Sequence, residues 1–346
     1  MEADHGKLKF THFENDTALD GVTTGLNFGA DFDGRYGVAD PTNFYVNSNI
    51  SPHFPYAAET WAAMWQRKSG ERVDGAIAVD PSALSYFLAI TGPATLADGS
   101  SITAANIVAK SQQEAYQRFP DNTQRKAYLL EVARSVDKRL LSGAGDPVKL
   151  VRAAARAASE RRLLVWSSHP EVQAVLMNSD FGGTVPDTSA PFIGLTVINA
   201  SGNKLDYYLD RSVQWQRSGC GPSRSVIATI TLTNNAPASG LSSYVDGRND
   251  HPAYATKPGD NRVLVSYFAT EGASLEAATM NGKAKAVYPQ RENGHPVYEF
   301  DVELPRGVPQ VLTLSLKEPA GSGDPWLIKQ PLVRPLQMSI LDQKCP

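Results

Sequence analysis

Val73-Asp-Gly-Ala-Ile-Ala-Val-Asp80-Pro-Ser-Ala-Leu-Ser-Tyr-Phe-Leu-Ala-Ile-Thr-Gly92-Pro93 decides the fold class, because it reads as a strand, a sharp turn and an amphipathic helix in direct succession. Ile77 and Val79 alternate with small residues, the pattern of a buried strand packed on a sheet. Asp80 suits a helix N-cap, and Pro81 the first helical position, where its missing N–H is no loss. Leu84, Phe87, Leu88 and Ile90 form the apolar stripe of the helix, and Gly92-Pro93 ends it. A strand feeding straight into a capped helix is the building unit of an α/β domain.

Upstream, Lys7-Leu-Lys-Phe-Thr-His-Phe13 alternates Leu8, Phe10 and His12 against Lys7, Lys9 and Thr11, as a half-buried strand does. Such a strand needs a neighbour, so the expectation is a soluble piece whose native N-terminus, with a membrane anchor, lies before Met1. The next segment carries Gly21, Gly25, Gly29, Gly34 and Gly37 with Asp31, Asp33 and Asp40, and reads as a long irregular stretch that is functional or packed over a core. Residues 55–69 read as a helix with Trp61, Met64, Trp65 and Lys68 on one face, a core stripe. Downstream, Thr103 is expected to cap a helix through Phe119, and Asp121 with Gln124 makes a capping-box-like start for a helix to about Leu141. Asp146-Pro147 opens an Ala- and Arg-rich helix, Leu163–Ser167 reads as a strand, and Ser168-His-Pro-Glu171 begins a short helix.

Residues 180–191 are a Gly/Pro/Ser-rich joint, and beyond them the periodicity changes. About seven short strand-like runs between 193 and 316, separated by turn residues, indicate an antiparallel β-sandwich with Trp215 and Phe300 facing inward. The two cysteines, Cys220 and Cys345, both lie in this half. Two distant cysteines there favour a disulfide over two free thiols; it would close a loop worth about 4–5 kcal/mol by chain entropy. A disulfide implies an oxidising, extracytoplasmic compartment.

With 346 residues there is room for two domains, and 42% hydrophobic against 20% charged residues describes a globular chain. The net charge of −3 and pI near 6.1 exclude a global electrostatic attraction to nucleic acid, so an anionic ligand has to rest on a local cluster. There is no signal peptide and no apolar run of spanning length. The six histidines are scattered, and phosphate-loop, dinucleotide and nucleophile-elbow motifs are absent, so the residues themselves assign no metal.

Two constellations carry chemistry. Ser167, Ser168 and His169 stand at a strand-to-helix corner, where a hydrolase could present His169; Ser168 equally suits a helix cap. Arg118 ends one helix, Asp121 begins the next, and Gln124 and Arg125 lie in its first turn. With Asn47, Asn49 and Arg35 these can form an anion site at a helix N-terminus, or an ordinary solvated first turn.

Asn47-Ser-Asn-Ile50, Trp61–Gly70, Val73–Asp80 with its helix, Ala115-Tyr-Gln-Arg118 and Gln124-Arg125-Lys-Ala-Tyr128 follow one another as in the LytR-CpsA-Psr fold, which residues 7–142 resemble. Those proteins transfer glycopolymer from a polyprenyl pyrophosphate carrier onto the cell wall. Over nearly its full length the chain is more similar to the domain-of-unknown-function family 4012 of bacterial envelope proteins. That likeness runs through Arg72–Tyr86, Glu160–Glu171, Asp206-Tyr-Tyr-Leu-Asp-Arg211 and Thr231-Leu-Thr-Asn234. Members carry an N-terminal membrane anchor and an Arg-Ala-Thr-Gly-Gly segment, neither present in this sequence. Where the transferases read Pro-Arg-Asp-Thr, this chain has Glu14-Asn-Asp-Thr17, so one phosphate-clamping arginine is missing.

The resemblance implies an α/β chain with a LytR-CpsA-Psr-like α/β/α sandwich over 1–186 and an Ig-like antiparallel β-sandwich over 190–346. It implies a protein anchored at the outer face of the bacterial membrane that handles polyprenyl-linked glycopolymer. One version is a non-catalytic scaffold or glycan-binding module, in which Tyr207, Tyr208, Tyr244 and Tyr254 could stack on sugars. The other is a phosphotransferase, in which Arg118, Gln124, Arg125 and Asn49 hold the pyrophosphate, Mg²⁺ offsets its charge, and Asp121 with Arg125 serves the acceptor hydroxyl.

Overall fold

The computed structural model describes residues 1–5 and 7–345. They divide into two compact units, Met1–Asn27 with Ala39–Thr184, and Phe28–Val38 with Val185–Pro346. A linear reading places residues 28–38 in the first domain, whereas they fold with the second.

The first unit contains β1 (Glu2–Asp4) and β2 (Lys7–Lys9), then, after α1 (Ala30–Tyr36) of the other unit, α2 (Phe54–Ser69), β3 (Gly75–Val79) and α3 (Pro81–Thr91). There follow β4 (Ala94–Thr95), β5 (Ser101–Ile102), α4 (Ile107–Ala109), α5 (Ala115–Arg118), α6 (Asn122–Leu140), α7 (Pro147–Ser159), β6 (Leu163–Ser167) and α8 (Pro170–Met177). Local chemistry sets most boundaries. The carboxylates of Asp80, Asp121 and Asp146 accept from backbone amides in the first turns of α3, α6 and α7, and Gly70, in the left-handed region, closes α2. The helix expected from Thr103 begins instead at Ile107, with a π-helical turn over Lys110–Glu114 before α5. The N-terminal strand stops at Lys9, and Leu8 and Phe10 are exposed.

The deciding stretch forms its strand and helix, but with the strand turned over. β3 pairs antiparallel with β6, from Gly75 opposite Ser167 to Val79 opposite Leu163. Ala76 and Ala78, with Leu164 and Trp166, face Phe54, Ala57, Ala58 and Trp61 of α2. Ile77 and Val79, expected in the core, point the other way and are 51% and 44% exposed. Volume accounts for the choice: the small Ala76 and Ala78 leave room for Phe54 and Trp61 beside the large Leu164 and Trp166 of β6. Among the described residues the ladders of this unit, β1–β2, β3–β6 and β4–β5, are all two-stranded.

Arg161 closes α7 in the left-handed region, at φ 57°, and its guanidinium donates to the carbonyls of Pro52, Gly183 and Thr184 at 2.5, 2.7 and 3.1 Å. Burial pulls its pKa down to about 10, so it remains charged at neutral pH. Arg161→Ala strands three carbonyls and is expected to destabilise the protein by about 2–3 kcal/mol in urea titration; a loss below about 0.5 kcal/mol would show that water replaces the guanidinium.

The second unit comprises α1, β7 (Phe192–Asn199), β8 (Leu209–Ser218), β9 (Ser223–Asn234), α9 (Ser243–Asp246), β10 (Asn261–Phe268) and β11 (Ser274–Met280). It continues with β12 (Lys283–Ala284), β13 (Tyr288–Glu292), β14 (His295–Leu304), β15 (Gln310–Pro319), β16 (Trp326–Lys329) and β17 (Gln337–Asp342). Two sheets, in the orders β13-β14-β10-β7-β16 and β12-β11-β15-β9-β8-β17, share one core with Trp215 and Phe300 fully buried in it, as the alternation required. Asn281-Gly282 and Asn293-Gly294, all at positive φ, make the two-residue turns of β11–β12 and β13–β14.

The sandwich is not wholly antiparallel. β16 runs parallel to β7 and β17 parallel to β8, the tail crossing from the sheet of β15 to an edge of the other sheet through residues 320–325 and back through 330–336. The stretch read as irregular contains α1, whose Phe32 and Tyr36 are buried.

Candidate functional site

The predicted anion site lies at the corner between α5 and α6, and its residues have different employments. Asp121 is the N-cap: its Oδ1 accepts from the Gln124 amide at 2.8 Å, and both residues are exposed. Arg118, at the end of α5, is exposed and lies over the rings of Phe119 and Tyr128, 4.9 and 5.8 Å from their centroids. Burial raises the Tyr128 pKa, with Lys110 and Arg118 opposing the shift.

Arg125 turns inward and is only 2% exposed. Its Nη1 donates to the carbonyls of Phe119 and Pro120 at 2.9 and 3.2 Å, its Nη2 to Asn122 Oδ1 at 2.7 Å, and it lies 5.2 Å from the Tyr116 ring. The guanidinium thus ties together the link between the two helices, and an anion would have to displace carbonyls to reach it. Asn49 is exposed, while Asn47 donates to the Ala39 carbonyl at 2.7 Å. Arg35 pairs instead with Glu292 of the second unit.

At the strand-to-helix corner, His169 Nε2 stands 3.5 Å from Asp74 Oδ1, and both are well exposed. Ser168 donates to the Asp74 carbonyl at 3.2 Å, and Ser167 Oγ accepts from the His169 amide at 3.2 Å. Neither contact joins a hydroxyl to the imidazole, which is the link that would activate a nucleophile. Among the described residues no three His, Cys, Asp or Glu side chains gather as a metal cage.

Of the tyrosines in the second unit, Tyr208 is buried, Tyr254 donates to Glu303, and Tyr244 is exposed with Lys204 above its ring. Cys220 and Cys345 form the disulfide, with Cα atoms 5.5 Å apart. The sequence reading missed the ion-pair set around it: Arg217 grips Asp342 in bidentate fashion at 2.8 and 2.6 Å, and Arg224 adds a contact at 3.3 Å. Their signal was present, since Arg217 falls in step with the inward Val213 and Trp215, and Arg224 with the inward Val226 and Ala228. Among the described residues no helix is long and apolar enough to cross a membrane.

Comparison with known families matches part of the chain to a model described as a protein of unknown function. Residues 1–116 match the DUF4012 family. The DUF4012 match includes the strand, turn and helix at Val73–Gly92. The motifs at Glu160–Glu171, Asp206–Arg211 and Thr231–Asn234 fall outside the matched residues. No curated protein matches the chain.

Among solved structures, a Legionella pneumophila protein described as nutrient-binding aligns at 9% identity and TM-score 0.23, over 39% of this chain and 46% of its own. A two-domain M1 zinc metallopeptidase variant bound to L-tryptophan aligns at 21% identity and TM-score 0.17, over 34% and 21%. Legionella pneumophila aminopeptidase A with aspartic acid aligns at 14% identity and TM-score 0.19, over 37% and 12%. The chain spans less than half the length of each, and likeness at this level carries no argument about its fold or activity.

Proposed function

We propose that the chain is a non-catalytic scaffold or glycan-binding module of the bacterial cell envelope that handles polyprenyl-linked glycopolymer during wall or exopolysaccharide assembly. In this reading the first unit derives from the LytR-CpsA-Psr transferase fold, the second is Ig-like, and the protein is anchored at the outer face of the membrane. The observation that carries it is Arg125: the cation best placed by sequence to clamp a pyrophosphate is buried on the protein's own carbonyls. A pyrophosphate clamp needs several cations converging in a dry pocket, and a single exposed arginine such as Arg118 holds such an anion poorly. The Cys220–Cys345 disulfide supports an oxidising, extracytoplasmic setting.

Thermal-shift titration separates the readings. The scaffold reading expects no change in Tm with polyprenyl pyrophosphate, with or without Mg²⁺, and retention of the protein on immobilised wall polysaccharide. A shift with the pyrophosphate that Arg118→Ala removes would overturn this expectation and show a carrier site, which the transferase version requires, and transfer of glycopolymer would then be assayed directly.

A further inference from the structure

The ladder of β3 and β6 has two outer edges, and the chain treats them differently. The Asp80 amide donates to the Arg162 carbonyl at 3.2 Å, and the Asp74 carbonyl accepts from the Ser168 amide at 2.9 Å. The even-numbered residues of β3 therefore turn their backbone groups toward β6. Gly75, Ile77 and Val79 turn theirs outward, where no strand receives them among the described residues. On β6 the outward amide of Ser167 donates to Gln173 Oε1 of α8 at 2.9 Å, which occupies that edge at its end.

An open edge is a template for a further strand, and proteins blunt the edges they leave unused with prolines, lysines, short strands or inward-pointing charges. The outer strands of the second unit's sheets all carry such a device. β12 has two residues and begins on Lys283, β13 contains Pro289 and Arg291, β16 is four residues long and ends on Lys329, and β17 turns Asp342 inward onto Arg217. β3 reads Gly75-Ala-Ile-Ala-Val79, with no charge, proline or bulge, and its Ile77 and Val79 side chains are half-exposed.

We infer that this edge pairs with the same edge of a second copy of the chain, β3 against β3 about a two-fold axis at Ala76, joining the two ladders into one four-stranded sheet. Charge chooses the axis. Outward residues have to face outward residues, so the register moves in steps of two. Placing Ile77 opposite its own copy sets Asp74 against Asp80 at both ends, which like-charge repulsion opposes. With the axis at Ala76, Gly75 faces Ile77 of the second copy and leaves room for that side chain, and Arg72 comes opposite Asp80. Arg72 is exposed and has no ion pair among the described residues, while the Asp80 side chain is 26% exposed beside Arg162. The two-fold axis makes each of these contacts twice. The strands are short against the roughly 800 Å² per partner of a stable interface, so the dimer is a reversible one.

Analytical ultracentrifugation of the whole chain at rising concentration tests the pairing, and a monomer–dimer equilibrium in the micromolar range is expected. Ile77→Lys should abolish the dimer, whereas Val175→Lys, on the exposed side of α8, should leave it unchanged. Arg72→Glu, which sets like charges opposite each other at both ends, should weaken association about 10-fold at low salt and less at high salt. A chain that stays monomeric up to millimolar concentration would overturn the proposal and leave the edge to an extended segment of another protein. A dimer that survives Ile77→Lys, or is lost in Val175→Lys, would overturn it too. Should Ile77→Lys not fold, Arg72→Glu decides alone, and association equal to the parent's overturns the proposal.

Discussion

The Glu292→Ala variant is expected to lose about 3–5 kcal/mol of stability, because it leaves the Arg35 guanidinium charged and buried without its partner. Both side chains are almost fully enclosed, at 1% and 3% exposure. Arg35 lies between the rings of Tyr36 and Phe268, 4.7 and 4.8 Å from their centroids, and its Nε and Nη2 have no hydrogen-bond partner among the described residues. Glu299, 3.9 Å from the Arg35 Nε, is beyond hydrogen-bond reach and offsets the loss of Glu292 only in part. Tyr36 donates to the same carboxylate at 2.8 Å, and its own pKa is pushed well up by burial first and by the Glu292 charge second. Desolvating two ions is expensive, so the pair's net worth is smaller than the damage done by breaking it. A double-mutant cycle reads the difference. Arg35→Met with Glu292→Met should be far less destabilised than Glu292→Ala alone, and additive single effects would show that the two charges are not coupled.

Reduction of the Cys220–Cys345 disulfide is the second large effect. The bond spans 125 residues in sequence, and releasing that loop in the unfolded chain is expected to cost about 5 kcal/mol. The folded state should change little on reduction, because the tail stays docked by other means. β17 remains paired with β8, Arg217 and Arg224 keep Asp342, and the Gly219 amide donates to Gln343 Oε1 at 3.0 Å. Urea titrations with and without a reductant should therefore show a large fall in midpoint with near-identical circular dichroism before unfolding. A midpoint shift worth less than about 1 kcal/mol would mean that the unfolded chain already holds these ends together.

The sandwich was legible because its signals are short-range. Alternating side chains from Leu209 to Leu316 mark two faces whatever the neighbouring strand, and Asn-Gly dipeptides fold their turns with little outside help. The parallel docking of β16 and β17 was not legible, since a strand's direction depends on where the preceding connection delivers it. The roles of the arginines at the α5–α6 corner were not legible for a related reason. Arg118 and Arg125 stand seven positions apart, with the bend between α5 and α6 separating them, and sequence alone does not say which one turns toward its own carbonyls.

The stretch from Val73 to Gly92 divides the two kinds of information. Its strand, the Asp80 cap, the Pro81 start and the helix that ends before Gly92 all follow from residues within four positions of one another, and the sequence by itself determined them. The pairing of Cys220 with Cys345 was only favoured by sequence, and it is the folded chain that brings the two together. Only the tertiary structure decided that Ala76 and Ala78 face inward, because that depended on Phe54 and Trp61 of a separate helix and the volume they leave. Only it decided that Arg35 belongs to Glu292, 257 positions away, since a buried charge takes whichever counter-charge the folded chain delivers.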